Sequence, residues 1–204
     1  MTKAVWGVRI RQAGVFAVIL ASTSCGDLVR QGTASSYLVV NELVAESGAD
    51  PGKFGSTLFS DVLTVKDDVP TIFADNARVS LVIALKDPGT AGSPSAPSAN
   101  NAITLDRYHV KYVRADGRNE QGRDVPYEFD GGLGFTVTGA ERTETFELVR
   151  HVAKEEAPLA ALVKGPTIIL TIAQVTFYGH DQTGRSVSTT ANISVEFGNF
   201  GDPK

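Results

Sequence analysis

Apolar and polar positions alternate most regularly near the C-terminal end of the chain. Val187, Thr189, Ala191, Ile193, Val195 and Phe197 share one face of an extended backbone, and Ser186, Ser188, Thr190, Asn192, Ser194 and Glu196 share the other. That period of two predicts a half-buried strand. Before it, residues 167–178 hold Ile168, Ile169, Leu170, Ile172, Val175 and Phe177. The run is too continuous for a strand with one wet face, so it is read as central in its sheet. Gly179, Asp181 and Gly184 lie between the two and supply the chemistry of a hairpin turn.

The same reading applied upstream predicts further strands. Leu38 and Val40 alternate with Val39 and Asn41 in 37–44, and a weaker strand over 56–65, interrupted by Asp61, suits a sheet edge. The clearest strand of the N-terminal half runs from Ala77 through Val79, Leu81 and Ile83 to Leu85. In 103–113, Tyr108, Val110 and Tyr112 oppose Arg107, His109 and Lys111. Shorter strands follow around Leu133, Phe135 and Val137, and over 143–152, while Gly131, Gly132 and Gly134 read as a bend. Residues 88–101, rich in Pro, Ser and Gly, predict a flexible insertion. One short helix is expected over 155–163, with Pro158 at its first position, Glu155 and Glu156 at its positive end, and Gly165 and Pro166 stopping it. About eight strands and one helix predict an all-β, antiparallel two-sheet sandwich.

The first residues follow a different pattern. Lys3, Arg9 and Arg11 precede an uncharged apolar run over 13–21, and Ser22, Thr23 and Ser24 are small. These are the three regions of a secretory signal peptide, and the run is far shorter than the ~20 residues a spanning helix needs. The expected organisation is a signal peptide over 1–24, a lipidated cysteine and tether over 25–36, the sandwich domain over 37–200, and a tail over 201–204. At 204 residues, 42% hydrophobic and 21% charged, the chain suits one folded domain with tails. Loss of Lys3, Arg9 and Arg11 with the leader leaves 16 Lys and Arg against 23 Asp and Glu, a formal charge of −7. That sign argues against nucleic acid and anionic lipid as partners.

Few chemistries survive inspection of the residues. His109, His151 and His180 lie in separate segments without zinc spacing. Asp67, Asp68 and Asp75 are weak calcium candidates, and a solvated acidic loop guarding an edge strand explains them as well. There is no Gly-x-Ser-x-Gly turn, phosphate-binding loop or dinucleotide fingerprint. No catalytic residue and no cofactor is expected. Tyr108 and Tyr112, at i and i+4 with Val110 between them, suit a core row better than a sugar-stacking platform.

Two stretches carry a resemblance. Cys25, the only cysteine, follows the small residues of the leader and resembles the lipidated cysteine of bacterial lipoproteins. An ordinary cut after Ala21 is the alternative site. The run Val175-Thr176-Phe177-Tyr178-Gly179-His180-Asp181-Gln182-Thr183-Gly184-Arg185, with its following strand, resembles the closing hairpin of immunoglobulin-like or fibronectin type III-like domains on bacterial exported proteins. The resemblance implies an anchor carrying diacyl and amide-linked chains, enough for stable membrane attachment. The resulting expectation is a non-catalytic, lipid-anchored cell-envelope protein that binds or scaffolds another envelope or surface component. Its contact candidates are the loops 67–76 and 179–184. The alternatives are a surface ligand-binding module for carbohydrate or calcium, and an enzyme with an unrecognised site.

Overall fold

The structure, a computed structural model, describes residues 34–201. The leader, Cys25 and residues 202–204 lie outside the described residues. Among the described residues, no helix is long and apolar enough to cross a membrane. The described chain is all-β, with several sheets and little helix.

Three strands form the smaller main sheet: β1 (Ser36–Glu46), β5 (Asp75–Leu85) and β10 (Arg142–Val149), in the order β1-β5-β10. Five form the larger: β2 (Thr57–Asp61), β12 (Ser186–Gly198), β11 (Ile169–Asp181), β8 (Ile103–Val113) and β9 (Phe129–Val137), in that order. Neighbouring strands run antiparallel except β2, which lies parallel to β12 at the sheet edge. The edge position of β2 matches the prediction, but its parallel pairing departs from the antiparallel sheets expected, because strands so distant in sequence are free to meet in either sense.

Alternation explains most of the core. Ala77, Val79, Leu81 and Ile83 of β5 and Val187, Ile193, Val195 and Phe197 of β12 turn inward into one apolar cluster shared by both sheets. Tyr108 and Tyr112 are buried in it, as a core row. Their hydroxyls donate across to the carbonyls of Glu147 (3.0 Å) and Leu148 (2.6 Å) on the facing sheet. Burial of a phenol requires such a partner. Phe146 links the sheets further, edge-on to Phe177 at 5.4 Å.

Four local readings are corrected. Gly131, Gly132 and Gly134 lie within β9 rather than in a bend, because the Tyr108 ring packs where a Gly131 side chain would sit, 2.2 Å from its Cβ position. The hairpin strand β11 extends to Asp181, so the turn is shorter than its glycines suggested. The buried Asp181 carboxylate organises that turn, accepting from the Thr183 hydroxyl (2.7 Å) and the N–H groups of Thr183 (2.9 Å) and Arg185 (3.0 Å). Burial raises its pKa, but these donors prevail and hold the carboxyl below its ordinary value.

The helix is displaced and broken. A short α1 (His151–Glu155) precedes a cis Ala157–Pro158 bond and a 3-10 segment over Leu159–Lys164. Pro158 therefore stands before the second piece, and Glu155 ends the first. Leu159 and Leu162 are buried and close the core edge. Finally, residues 88–101 contain a small ribbon, β6 (Gly89–Thr90) with β7 (Ser93–Pro94), and a 3-10 turn over Ala99–Asn101. Polar bonds rather than apolar periodicity shape this segment: Ser36 donates to the Asn101 carbonyl (3.0 Å), and the Asn101 amide to Ser35 (3.1 Å).

Candidate functional site

The β1–β2 loop and the end of β12 come together because a buried charge pair holds them. Asp75, at the start of β5, is 0% exposed, and Lys154 of α1 is 1% exposed. The Lys154 ammonium lies 2.8 Å from Asp75 Oδ2 and donates to the Asp61 carbonyl at 2.8 Å. Ser60 donates to Asp75 Oδ2 (2.6 Å), and the Gly48 N–H donates to Oδ1 (3.0 Å). Desolvation pushes the Asp75 carboxyl above its ordinary pKa, against the pull of Lys154, Ser60 and Gly48. Gly48 is needed for the approach, since a Cβ there would stand 2.0 Å from the Ala74 carbonyl oxygen. Asp61 extends the network, accepting from the Thr64 hydroxyl (2.9 Å) and the Phe200 N–H (3.1 Å).

Above this network opens a cleft of about 490 Å³. Ser47, Asp50 and Lys53 of the loop form one wall, Thr57 and Phe59 of β2 the other, and Phe200 stands at its end. Phe59 and Phe200 meet edge to face at 5.8 Å, and Lys53 pairs with Asp50 at 2.7 Å.

The cleft continues onto an uncovered apolar strip. Strand β11 is central, as predicted, but it has a wet outer face: Ile168 just before it is 47% exposed, Leu170 60% and Ile172 42%, while Ile169, Ala173 and Val175 are buried. The apolar run thus reflects one face in the core and a second left open. Phe59 is 55% exposed, and the strand register sets Phe59, Glu196 and Leu170 side by side across β2, β12 and β11. The Ile168 and Phe200 side chains close over Gly198, each within 3.3 Å of where its Cβ would be.

The nominated calcium residues occupy different settings. Asp75 is the core partner of Lys154. Asp67 and Asp68 form the tight turn between β3 (Thr64–Lys66) and β4 (Val69–Thr71), both with positive φ (52° and 62°). Among the described residues, no three His, Cys, Asp or Glu side chains are grouped to hold a metal ion. His109 lies between Asp130 (3.3 Å) and Glu128 (3.7 Å), His151 beside Glu155 (3.8 Å), and His180 beside Asp106 (3.4 Å). The nominated loops fall at opposite ends: 67–76 follows β2 at the cleft end, and 179–184 joins β11 to β12 at the far end, where β1 begins. Sequence reading missed Lys154, Phe59 and Phe200. Lys154 lies in a charged, aperiodic stretch, and the aromatic pair is joined only by the fold.

Comparison with known protein families, with curated proteins and with solved structures finds no match to this chain.

Proposed function

We propose that this chain is an exported bacterial lipoprotein, anchored through Cys25, whose immunoglobulin-like sandwich binds or scaffolds another envelope or surface component without catalysing a reaction. The observation that carries the reading is the position of the cleft relative to the start of β1. Ser36, at the start of β1, lies beside Leu85 and Asn101, whereas the cleft lies past the other end of β1. Eleven extended residues separate the two ends by roughly 30 Å. An anchor at Cys25 would leave the exposed Phe59, Ile168, Leu170 and Ile172 facing away from the lipid. An uncovered apolar strip at that end suits a partner surface.

Burial supports a structural role for the polar network beneath the cleft. Ser60, Asp75 and Lys154, which resemble a reactive constellation in composition, are sealed in the core at 0–1% exposure, beyond the reach of substrate. Tyr37, Tyr127 and Tyr178, the more accessible tyrosines, lie on β1, a loop and β11, and form no shared stacking platform.

Photo-crosslinking in the source cells tests the binding role. A crosslinking residue at Leu170 gives a discrete adduct with an envelope component, and one at His180 gives none. Adducts from position 180 alone, or from neither position, would overturn the assignment of the cleft end.

A further inference from the structure

We infer that the cleft receives an extended peptide segment, added as a strand along the free edge of β2, with an arginine or lysine opposite Phe59. This rests on the reading that the cleft end is the binding face.

The backbone of β2 supplies the first reason. Val62 N–H donates to the Gly198 carbonyl at 2.9 Å, so β2 residues in phase with Val62, namely Ser60 and Leu58, turn their N–H and C=O toward β12. Phe59 and Asp61 turn theirs the other way. The Asp61 carbonyl is taken from that side by Lys154, which agrees with the phase. No strand among the described residues pairs with β2 there, so the Phe59 N–H and C=O face the cleft as an open donor and acceptor. An extended peptide satisfies both at once, and alternate side chains then fall on the Phe59 side of the sheet.

Charge supplies the second reason. Glu196 lies directly beside Phe59 on β12, is half-buried between Phe59 and Leu170, and has no hydrogen-bond or ion-pair partner among the described residues. Glu196 stands beside the cleft, across Phe59 from it; Asp50 and Asp61 line the cleft itself, and its one lysine, Lys53, is already paired with Asp50. The site therefore favours a cation. A strand added beside β2 stands two strand spacings from β12, about 10 Å from Glu196. An arginine or lysine on that strand spans the gap by laying its stem and charge over the Phe59 ring, with its head at the Glu196 carboxylate. Phe200 closes the end of the cleft against an apolar neighbour on the same segment.

The test uses the full protein, labelled with 15N, in detergent micelles. The probes are three blocked hexapeptides that alternate threonine and valine and differ only in a central arginine, glutamate or leucine. Titrated to millimolar concentration, the arginine peptide shifts the amides of 57–61 and of the loop 47–53. It binds about tenfold more tightly than the glutamate peptide. In Glu196→Gln that discrimination disappears while the remaining spectrum is unchanged, which separates lost recognition from lost folding. Equal binding of the arginine and glutamate peptides, or no shift at β2, overturns the inference. Shifts confined to Leu170 and Ile172 overturn strand addition yet leave the cleft end as a binding face. The failure of that broader reading is instead seen in the crosslinking experiment.

Discussion

Replacing Lys154 with methionine lowers the unfolding free energy by about 3–5 kcal/mol, read by urea denaturation. The substitution keeps most of the side-chain volume but leaves the Asp75 carboxylate, fully buried, without its counter-charge at 2.8 Å. It also strips the Asp61 carbonyl of its donor. Pairing it with Asp75→Asn recovers more than half of the loss. Asparagine is neutral; its side-chain carbonyl still accepts from the Gly48 N–H, and its amide nitrogen, in the place of Oδ2, donates to the Ser60 hydroxyl oxygen. The gain follows because the cost of the single variant is the stranded charge, rather than a large net contribution of the pair. A single-variant loss below about 1 kcal/mol, the range of surface pairs, would contradict the assignment of this network to the core. The network also fixes the site. Gly48 sits in the cleft-lining loop, and Ser60 and Asp61 belong to the strand that forms its other wall, so the same variant broadens the amide signals of 47–53.

The second large effect separates the two faces of β11. Phe177→Ala costs about 3–5 kcal/mol, because the ring is fully buried against Phe146 and truncation leaves a cavity between the sheets. Leu170→Ser, seven residues earlier on the opposite face, changes stability by no more than about 0.5 kcal/mol. Denaturation of both variants, with the crosslink as a second readout, gives opposite patterns. Phe177→Ala unfolds easily, and Leu170→Ser folds normally but loses its partner. If Leu170→Ser proved as damaging as the core change, the exposed strip would belong to the fold and not to recognition.

How far the sequence revealed this molecule depended on which physical signal each part leaves in a single chain. Strands β5, β8 and β12 were legible because one face is buried and the other wet, and the period of two records that directly. Tyr108 and Tyr112 were assigned to the core for the same reason. The run through Ile168, Leu170 and Ile172 shows the limit of the signal. Apolar residues on both faces record that neither face is polar, and cannot tell a covered face from one left open. The pairing of Asp75 with Lys154 left no local trace, since a buried ion pair is defined by two segments that meet only after folding. The cleft is similar, assembled from a loop, an edge strand and Phe200. Helix α1 was misplaced because Pro158, Glu155 and Glu156 suggested a helix start at 155, whereas the helix ends there and Asp75 holds its Lys154 inward. Asp67 and Asp68 read as a solvated acidic loop with weak calcium potential, and their left-handed backbone, which the sequence does not record, makes them the turn of a small hairpin.

The intact mass of the protein from the membrane fraction, measured beside a Cys25→Ser variant, tests the central claim most directly, because the direction in which the cleft faces depends on the anchor. The account predicts a mature chain beginning at Cys25 and carrying acyl mass, with that species lost in the variant. A water-soluble chain cut after Ala21, without acyl mass, would contradict it.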